Sequence, residues 1–428
     1  MLERGRRPDV RAAVRRVAMD VTPLRVSRDF RVLWLGLLAS TLGSQFTVVA
    51  TFIQVFRLTG STAAVGLVGL TGFGGLLAGT LVGGTFLDAF DRRKVLIGAQ
   101  LGYLASSGTL FLGALAGDPP VGLIYPAVAG IALSSAVDGP TRNAMTPRLL
   151  DRPLLPAAAA LNQLTYNAAA LVGPALAGVV VAKLGFAWAY GIDVASIGFL
   201  LVAAITIRPM PPQAGERATV GWRAVREGFA FLRGRRVLQS TFIVDIVAMV
   251  FGMPRALFPI LAVVQFERTG QAAEVLTGML FAAPAVGALV AAATTGWIGR
   301  VRHQGRAIAW AVVLWGAGIA AFGLIGDRLW LALLLLALAG GADVISAVFR
   351  NTILQVVVPD HLRGRLSGIH ILVVAGGPRL GDLEAGLVAA AFSPTVSVVS
   401  GGILCIAGAG LLAWLVPAFR RYHAGQTE

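Results

Sequence analysis

The sequence predicts an all-α polytopic membrane protein in which twelve transmembrane helices form two six-helix bundles. Three observations carry that expectation. The 428 residues are 56% hydrophobic and only 13% charged, about half the charge of a soluble domain, and their mean hydropathy is +0.77. Apolar runs long enough to cross roughly 30 Å of hydrocarbon recur along the chain. Drawn as spans, those runs leave nearly all basic residues on one side of the membrane. The composition also excludes other classes. Cys405 is the single cysteine, which rules out a disulfide scaffold. His303, His361, His370 and His423 show no metal-ligand spacing, so neither a metal nor a cofactor is expected.

The spans lie near residues 32–56, 62–87, 95–117, 120–140, 161–183, 186–207, 238–261, 273–298, 307–326, 329–349, 366–392 and 395–417. Each alternate connection is marked by basic residues. Nine arginines from Arg4 to Arg31 precede the first span, and Arg92, Arg93 and Lys94 separate the second from the third. Arg142, Arg148 and Arg152 follow the fourth, and seven arginines from Arg208 to Arg236 follow the sixth. Arg300, Arg302 and Arg306 follow the eighth, Arg350, Arg363 and Arg365 the tenth, and Arg420 and Arg421 the last. That face holds thirty basic residues; the other holds Arg57, Lys183, Arg268 and Arg328. The positive-inside rule then puts both termini in the cytoplasm, with the chain in a bacterial inner membrane. The net charge of +15 is thereby topology, and nucleic acid is not expected as a partner.

The chain divides accordingly into a basic cytoplasmic segment (1–29), a first bundle (30–207), a cytoplasmic linker (208–237), a second bundle (238–417) and a cytoplasmic tail (418–428). The basic N-terminal stretch is too long for a signal-peptide n-region, so the first span reads as an uncleaved anchor. Val10, Val14 and Val17 among arginines, and Trp222, Val225, Phe229 and Leu232 in the linker, have the spacing of interfacial helices lying on anionic lipid.

The halves repeat each other. Gly66 and Gly84 are 18 residues apart, as are Gly278 and Gly296, and each pair follows a Thr-Gly dipeptide, Thr59-Gly60 or Thr269-Gly270. Arg142-Asn143 precedes Gly173-Pro174 by 31 residues, and Arg350-Asn351 precedes Gly377-Pro378 by 27. A duplicated six-helix unit around a midplane cavity suits alternating access, in which one half rocks against the other. That architecture points to transport.

Two motifs refine the reading. After the second span stands Gly84-Thr-Phe-Leu-Asp88-Ala-Phe-Asp91-Arg92-Arg93-Lys94. A carboxylate followed by a basic cluster suits a charge network that holds a cytoplasmic gate, with Asp88 set against the dipole at the start of the eleventh span near Gly364 to Ser367. Asp138 and Arg142, at i and i+4, are expected to join it. The fifth span contains Ala169-x-x-x-Gly173-Pro174-x-x-Ala177-Gly178, whose small residues let helices approach closely and whose proline bends the span.

The loop resembles the G-x-L-A-D-R-x-G-R-R signature of the major facilitator superfamily, with Ala89 and Asp91 in place of the usual Arg and Gly. The fifth-span motif is similar to the antiporter signature of its proton-coupled exporters. With Gln54 to Ser61, Met253-Pro-Arg255 to Pro259 and Gly364-Arg365-Leu-Ser-Gly368, the chain resembles the enterobactin-exporter and actinobacterial drug-efflux subfamily from about residue 28 to 420. That resemblance implies the major facilitator fold and export of an amphipathic small molecule, a siderophore or a drug, in exchange for protons. The expected partners are that substrate, protons and membrane lipid, and a monomer is expected. Pro126 replaces the fourth-span arginine that many drug:proton antiporters carry, so proton transfer by that route is not expected.

Ionisable groups within spans are costly and mark function. Asp245 and Arg255 in the seventh span, Asp343 in the tenth, and Arg379, Asp382 and Glu384 in the eleventh are therefore the proton and substrate candidates, Arg255 being suited to an anionic substrate. Arg379 and Asp382, at i and i+3, are also spaced to neutralise each other. Asp193 in the sixth span reads as structural. Uptake by proton symport is the alternative function. A membrane enzyme has no support, because G-x-S-x-G, H-E-x-x-H and a P-loop are all missing from the sequence.

Overall fold

The computed structural model describes residues 20–117, 119–211 and 230–423, without the side chains of 84–89, 360–365, 367 and 368. Residues 10–19 and 222–229 of the two expected interfacial helices, and the Asp88 carboxylate, lie outside the described residues. The first six spans are α1 (Arg28–Thr59), α2 (Thr62–Ala89), α3 (Arg92–Leu115), α4 (Val121–Leu149), α5 (Leu155–Leu184) and α6 (Phe186–Thr206). The second six are α7a (Arg236–Phe251) with α7b (Phe258–Val264), α8 (Gln271–Ala293), α9 (Gln304–Leu324), α10 (Leu329–Val357), α11 (Asp360–Ala391) and α12 (Pro394–Leu415).

Among the described residues, eleven spans are long and apolar enough to cross a membrane. The twelfth, α11, has 32 residues and carries Arg379, Asp382 and Glu384 in its second half. Helices α4, α10 and α11 run six to nine residues further on the arginine-rich face than the apolar runs indicate. Hydropathy stops at the membrane surface, whereas the backbone hydrogen-bond ladder does not. The ends of α1 are set by local chemistry: Ser27 Oγ accepts from Phe30 N to cap it, and Gly60, at φ +62°, ends it.

Each half has its own buried core. In the second half one continuous apolar cluster runs from Leu232 to Tyr422. The first half has two, one around Phe46, Ile53 and Tyr190 and one around Phe30, Leu96 and Leu200. Between them in sequence along α3, α4 and α6 lie the buried polar residues Gln100, Ser107, Asp138 and Asp193. Asp193 accepts from Thr47 (2.6 Å) and Ser107 (2.5 Å), tying α6 to α1 and α3 as a structural clamp.

The bundles meet through two equivalent crossings, α2 with α11 and α5 with α8. A methyl on Gly66 would lie 2.9 Å from the Asp382 carbonyl oxygen and 3.2 Å from Gly386 Cα. A methyl on Gly278 would lie 2.5 Å from the Pro174 carbonyl oxygen and 2.9 Å from Gly178 Cα. Only glycine permits such approach. These crossings lie toward the face opposite the arginine-rich one, where Arg57 also reaches Glu274 (4.0 Å).

The two crossings correct the repeat. Gly386 takes the place of Gly178, and Asp382 that of Pro174. The counterpart of Gly173-Pro174 is therefore Gly381-Asp382, which follows Arg350 by the same 31 residues that separate Arg142 from Gly173. Gly377-Pro378 is displaced by one helical turn. In the proper register α11 reads Gly377-x-x-x-Gly381-Asp382-x-x-Ala385-Gly386, the α5 motif with aspartate for proline and glycine for Ala169.

Candidate functional site

The seventh span, expected to be continuous over 238–261, is broken. Helix α7a stops at Phe251, Gly252 and Met253-Pro254 interrupt it, and a single 3-10 turn (Arg255–Leu257) leads into α7b. Pro254 and Pro259 withhold backbone donors at the junction. The freed Gly252 carbonyl accepts from Trp315 Nε1 of α9 at 2.9 Å. A discontinuous helix inside a transporter bundle belongs where backbone lines a cavity. Here it delivers Arg255 to the space between the bundles.

Two adjoining cavities occupy that space, both lined by Val48 and Arg255. One, of about 310 Å³, has an apolar wall from Phe258, Phe281, Pro284 and Trp315, with Asp343 at its edge. Phe52 of α1 meets Phe281 of α8 edge to face (5.6 Å), and Phe281 meets Phe258 (5.0 Å), joining the halves by an aromatic contact. The other cavity, of about 290 Å³, contains Arg255, Arg379 and Asp382.

Arg255 Nη2 donates to Asp382 Oδ2 at 2.6 Å. Arg379 and Asp382 form no direct ion pair within α11; the α7 break brings Arg255 to Asp382. Arg379 instead donates to its own Ala375 carbonyl, 2.6 Å away. Glu384 joins neither group. Two residues beyond Asp382, it points about 200° further round the helix.

A second charged centre lies nearer the arginine-rich face. Arg350 Nη2 pairs by charge with Asp245 Oδ1 of α7a at 2.9 Å and stands 3.7 Å from Asp343 Oδ1, while its Nη1 donates to Ser346 Oγ at 2.8 Å. His370 of α11 lies edge to face with Phe242 beside them (6.3 Å). Sequence reasoning counted Arg350 as a membrane-surface cation, yet it is 2% exposed. Its alignment with Arg142 in the repeat was the available signal.

The first-half counterpart is simpler. Arg142 grips Asp138 (2.5 Å), which also accepts from Gln100 of α3 (2.8 Å). Arg92 Nη1 donates to the Ala144 carbonyl at 2.9 Å, and Arg93 donates to the carbonyls of Ala204 and Ile205, binding the α2–α3 connection to the ends of α4 and α6. Gly84 lies within α2, and the Asp88 side chain lies outside the described residues. In α5, Gly173 packs on Gln45 of α1, whereas Pro174 and Gly178 face α8.

The model for the transmembrane secretion effector family matches residues 18–424. The enterobactin exporter EntS of Salmonella typhi is 28% identical over 414 residues, covering 95% of this chain and 96% of that protein. EntS of Citrobacter koseri is 29% identical over the same length. Among solved structures, the POT family transporter PepTSo superposes with a TM-score of 0.72 at 14% identity, covering 92% of this chain and 98% of that one. The nucleoside transporter NupG gives 0.68 at 14% identity, covering 91% and 98%. These likenesses establish the fold, and the family match extends over nearly all of the chain. The protein belongs to the transmembrane secretion effector family of the major facilitator superfamily and is a secondary active transporter, not an enzyme, that moves a small molecule across the inner membrane.

Proposed function

We propose that the chain exports an amphipathic organic molecule, of the siderophore or drug type, in exchange for protons, with both termini and the arginine-rich face in the cytoplasm. Export is supported by the family and by the enterobactin exporters that align over almost the entire chain. The observation that carries proton coupling is the Asp245–Arg350–Asp343 cluster. Two carboxylates share one guanidinium, so the trio has one negative charge in excess within the bundle. A proton on Asp343, at the cavity edge, neutralises that excess and releases Arg350 to Asp245 alone. A local change of partner of this kind can bias a rocking equilibrium.

In this reading the glycine crossings and the aromatic contact close the outer face, while Asp88, Arg92, Arg93, Asp138 and Arg142 hold the cytoplasmic one. The second reading is uptake by proton symport. The fold is shared with the nucleoside transporter and POT family transporters, and the architecture itself sets no direction.

Vesicle orientation separates the two. Inside-out vesicles with an acidic lumen, offered cationic, neutral and anionic fluorescent amphiphiles, should accumulate at least one dye, and a protonophore should abolish the accumulation. Accumulation only in right-side-out vesicles with acid outside would establish symport and overturn export.

A further inference from the structure

The two charged centres of the second half have opposite balances. Around Arg350 there are two acids to one base; around Asp382 there are two bases, Arg255 and Arg379, to one acid. Among the described residues, no carboxylate comes within 4.0 Å of the Arg379 guanidinium, whose recorded hydrogen bond goes to a backbone carbonyl of its own helix. A charge held inside a membrane protein without a counter-ion is expensive and retained for use. The fold makes room for it. A methyl on Gly72 would lie 3.1 Å from Arg379 Nε, and one on Gly69 would lie 2.6 Å from Asp382 Cβ.

The Arg255–Asp382 pair is itself incomplete. It is made through one nitrogen and one oxygen, and Arg255 Nε and Asp382 Oδ1 are buried without a hydrogen-bond partner. A guanidinium prefers a planar acceptor that takes two bonds. The hydroxyls in this cavity are not planar two-bond acceptors, and they are oriented by their own bonds, Thr47 donating to Asp193 and Thr51 to the Thr47 carbonyl. The cavity therefore presents positive charge, and it adjoins the apolar cavity lined by Phe258, Phe281 and Trp315.

We propose that Arg379 and Arg255 bind the anionic group, a carboxylate or a sulfonate, of an amphipathic organic substrate, that Asp382 is the internal anion this group displaces from Arg255, and that the neighbouring apolar cavity takes the substrate's body. The inference deepens the transport reading by naming its substrate class. Binding, however, is measured without transport.

The test uses the full chain in phosphatidylcholine nanodiscs, so that no anionic lipid competes. Carboxyfluorescein serves as the anionic probe and rhodamine 6G as a cation of similar size, each followed by fluorescence polarisation. The wild type should prefer the anion. Arg379→Gln should weaken anion binding about tenfold or more, as loss of a charge-assisted bond does, and Arg379→Lys should restore most of it. Asp382→Asn should tighten anion binding severalfold, a gain that misfolding cannot produce. Wild-type preference for the cation, or equal anion binding by wild type and Arg379→Gln, would overturn the site. Gradient-driven transport of dyes without anion preference would contradict the site alone. Anion binding that follows Arg379, in vesicles that transport nothing, would uphold the site and contradict the transport mechanism.

Discussion

The two bundles follow one repeating pattern, yet they differ at each of three matched positions. Where α5 carries Pro174, α11 carries Asp382. Where Arg142 is satisfied by Asp138, itself steadied by Gln100, Arg350 is shared by Asp245 and Asp343. Where α1 is an uninterrupted helix of 32 residues, the seventh span is broken at Gly252. Each change puts charge or open backbone into the second half. The first half keeps balanced pairs and the hydroxyl clamp on Asp193. In the proposed mechanism this is a division of labour, with the balanced first half as the support and the charged second half as the carrier of the coupling.

The largest effect that would break this comparison is expected at Arg350. Replacing it with Met leaves the buried Asp245 and the cavity-lining Asp343 without their cation, a loss of about 3–5 kcal/mol. Arg142→Met should cost less, because Asp138 keeps Gln100. Cys405 is fully buried, so thermal unfolding can be followed by its reaction with a thiol-specific dye, and Arg350→Met should melt well below Arg142→Met. Next comes the glycine crossing. Gly278→Leu forces α5 and α8 apart and should cut gradient-driven dye accumulation at least about tenfold, overpacking of this kind costing roughly 1–3 kcal/mol. Gly98→Leu, with open space at its Cβ, should leave accumulation unchanged.

A smaller effect is expected at the helix break. Trp315→Phe strands the Gly252 carbonyl, at about 1–3 kcal/mol, and should lower the melting temperature while reducing accumulation only severalfold. The smallest is at Glu384. It belongs to neither charged centre, so Glu384→Gln should transport within about twofold of wild type. A large loss there would show that the number of carboxylates in α11, and not their pairing, governs the mechanism.

These differences were unevenly legible in the sequence. Twelve spans could be read because hydrocarbon thickness and arginine placement constrain the chain locally and strongly. Asp245, Arg255, Asp343, Arg379 and Asp382 stood out as charges within apolar runs. Their partners did not. Arg379 and Asp382 are well spaced along one helix, but the competing Arg255 is brought by a break whose stabilising bond comes from Trp315, 63 residues away from Gly252. Arg350 looked like a surface cation because it falls one residue past the expected end of the tenth span, while Asp245 comes from α7a and Asp343 lies two turns back along its own helix. Gly377-Pro378 drew the repeat one turn out of register, because a proline is a stronger local signal than the glycine spacing that the crossing with α2 requires.

The most direct measurement compares proton coupling in the two halves. Gradient-driven accumulation and gradient-free exchange of a transported dye are followed in the same inside-out vesicles for wild type, Asp343→Asn and Asp193→Asn. Asp343→Asn is expected to keep exchange and lose the response to the proton gradient, while Asp193→Asn, in its hydroxyl clamp, keeps both. A full gradient response in Asp343→Asn, or its loss in Asp193→Asn, would contradict the assignment of proton coupling to the second half.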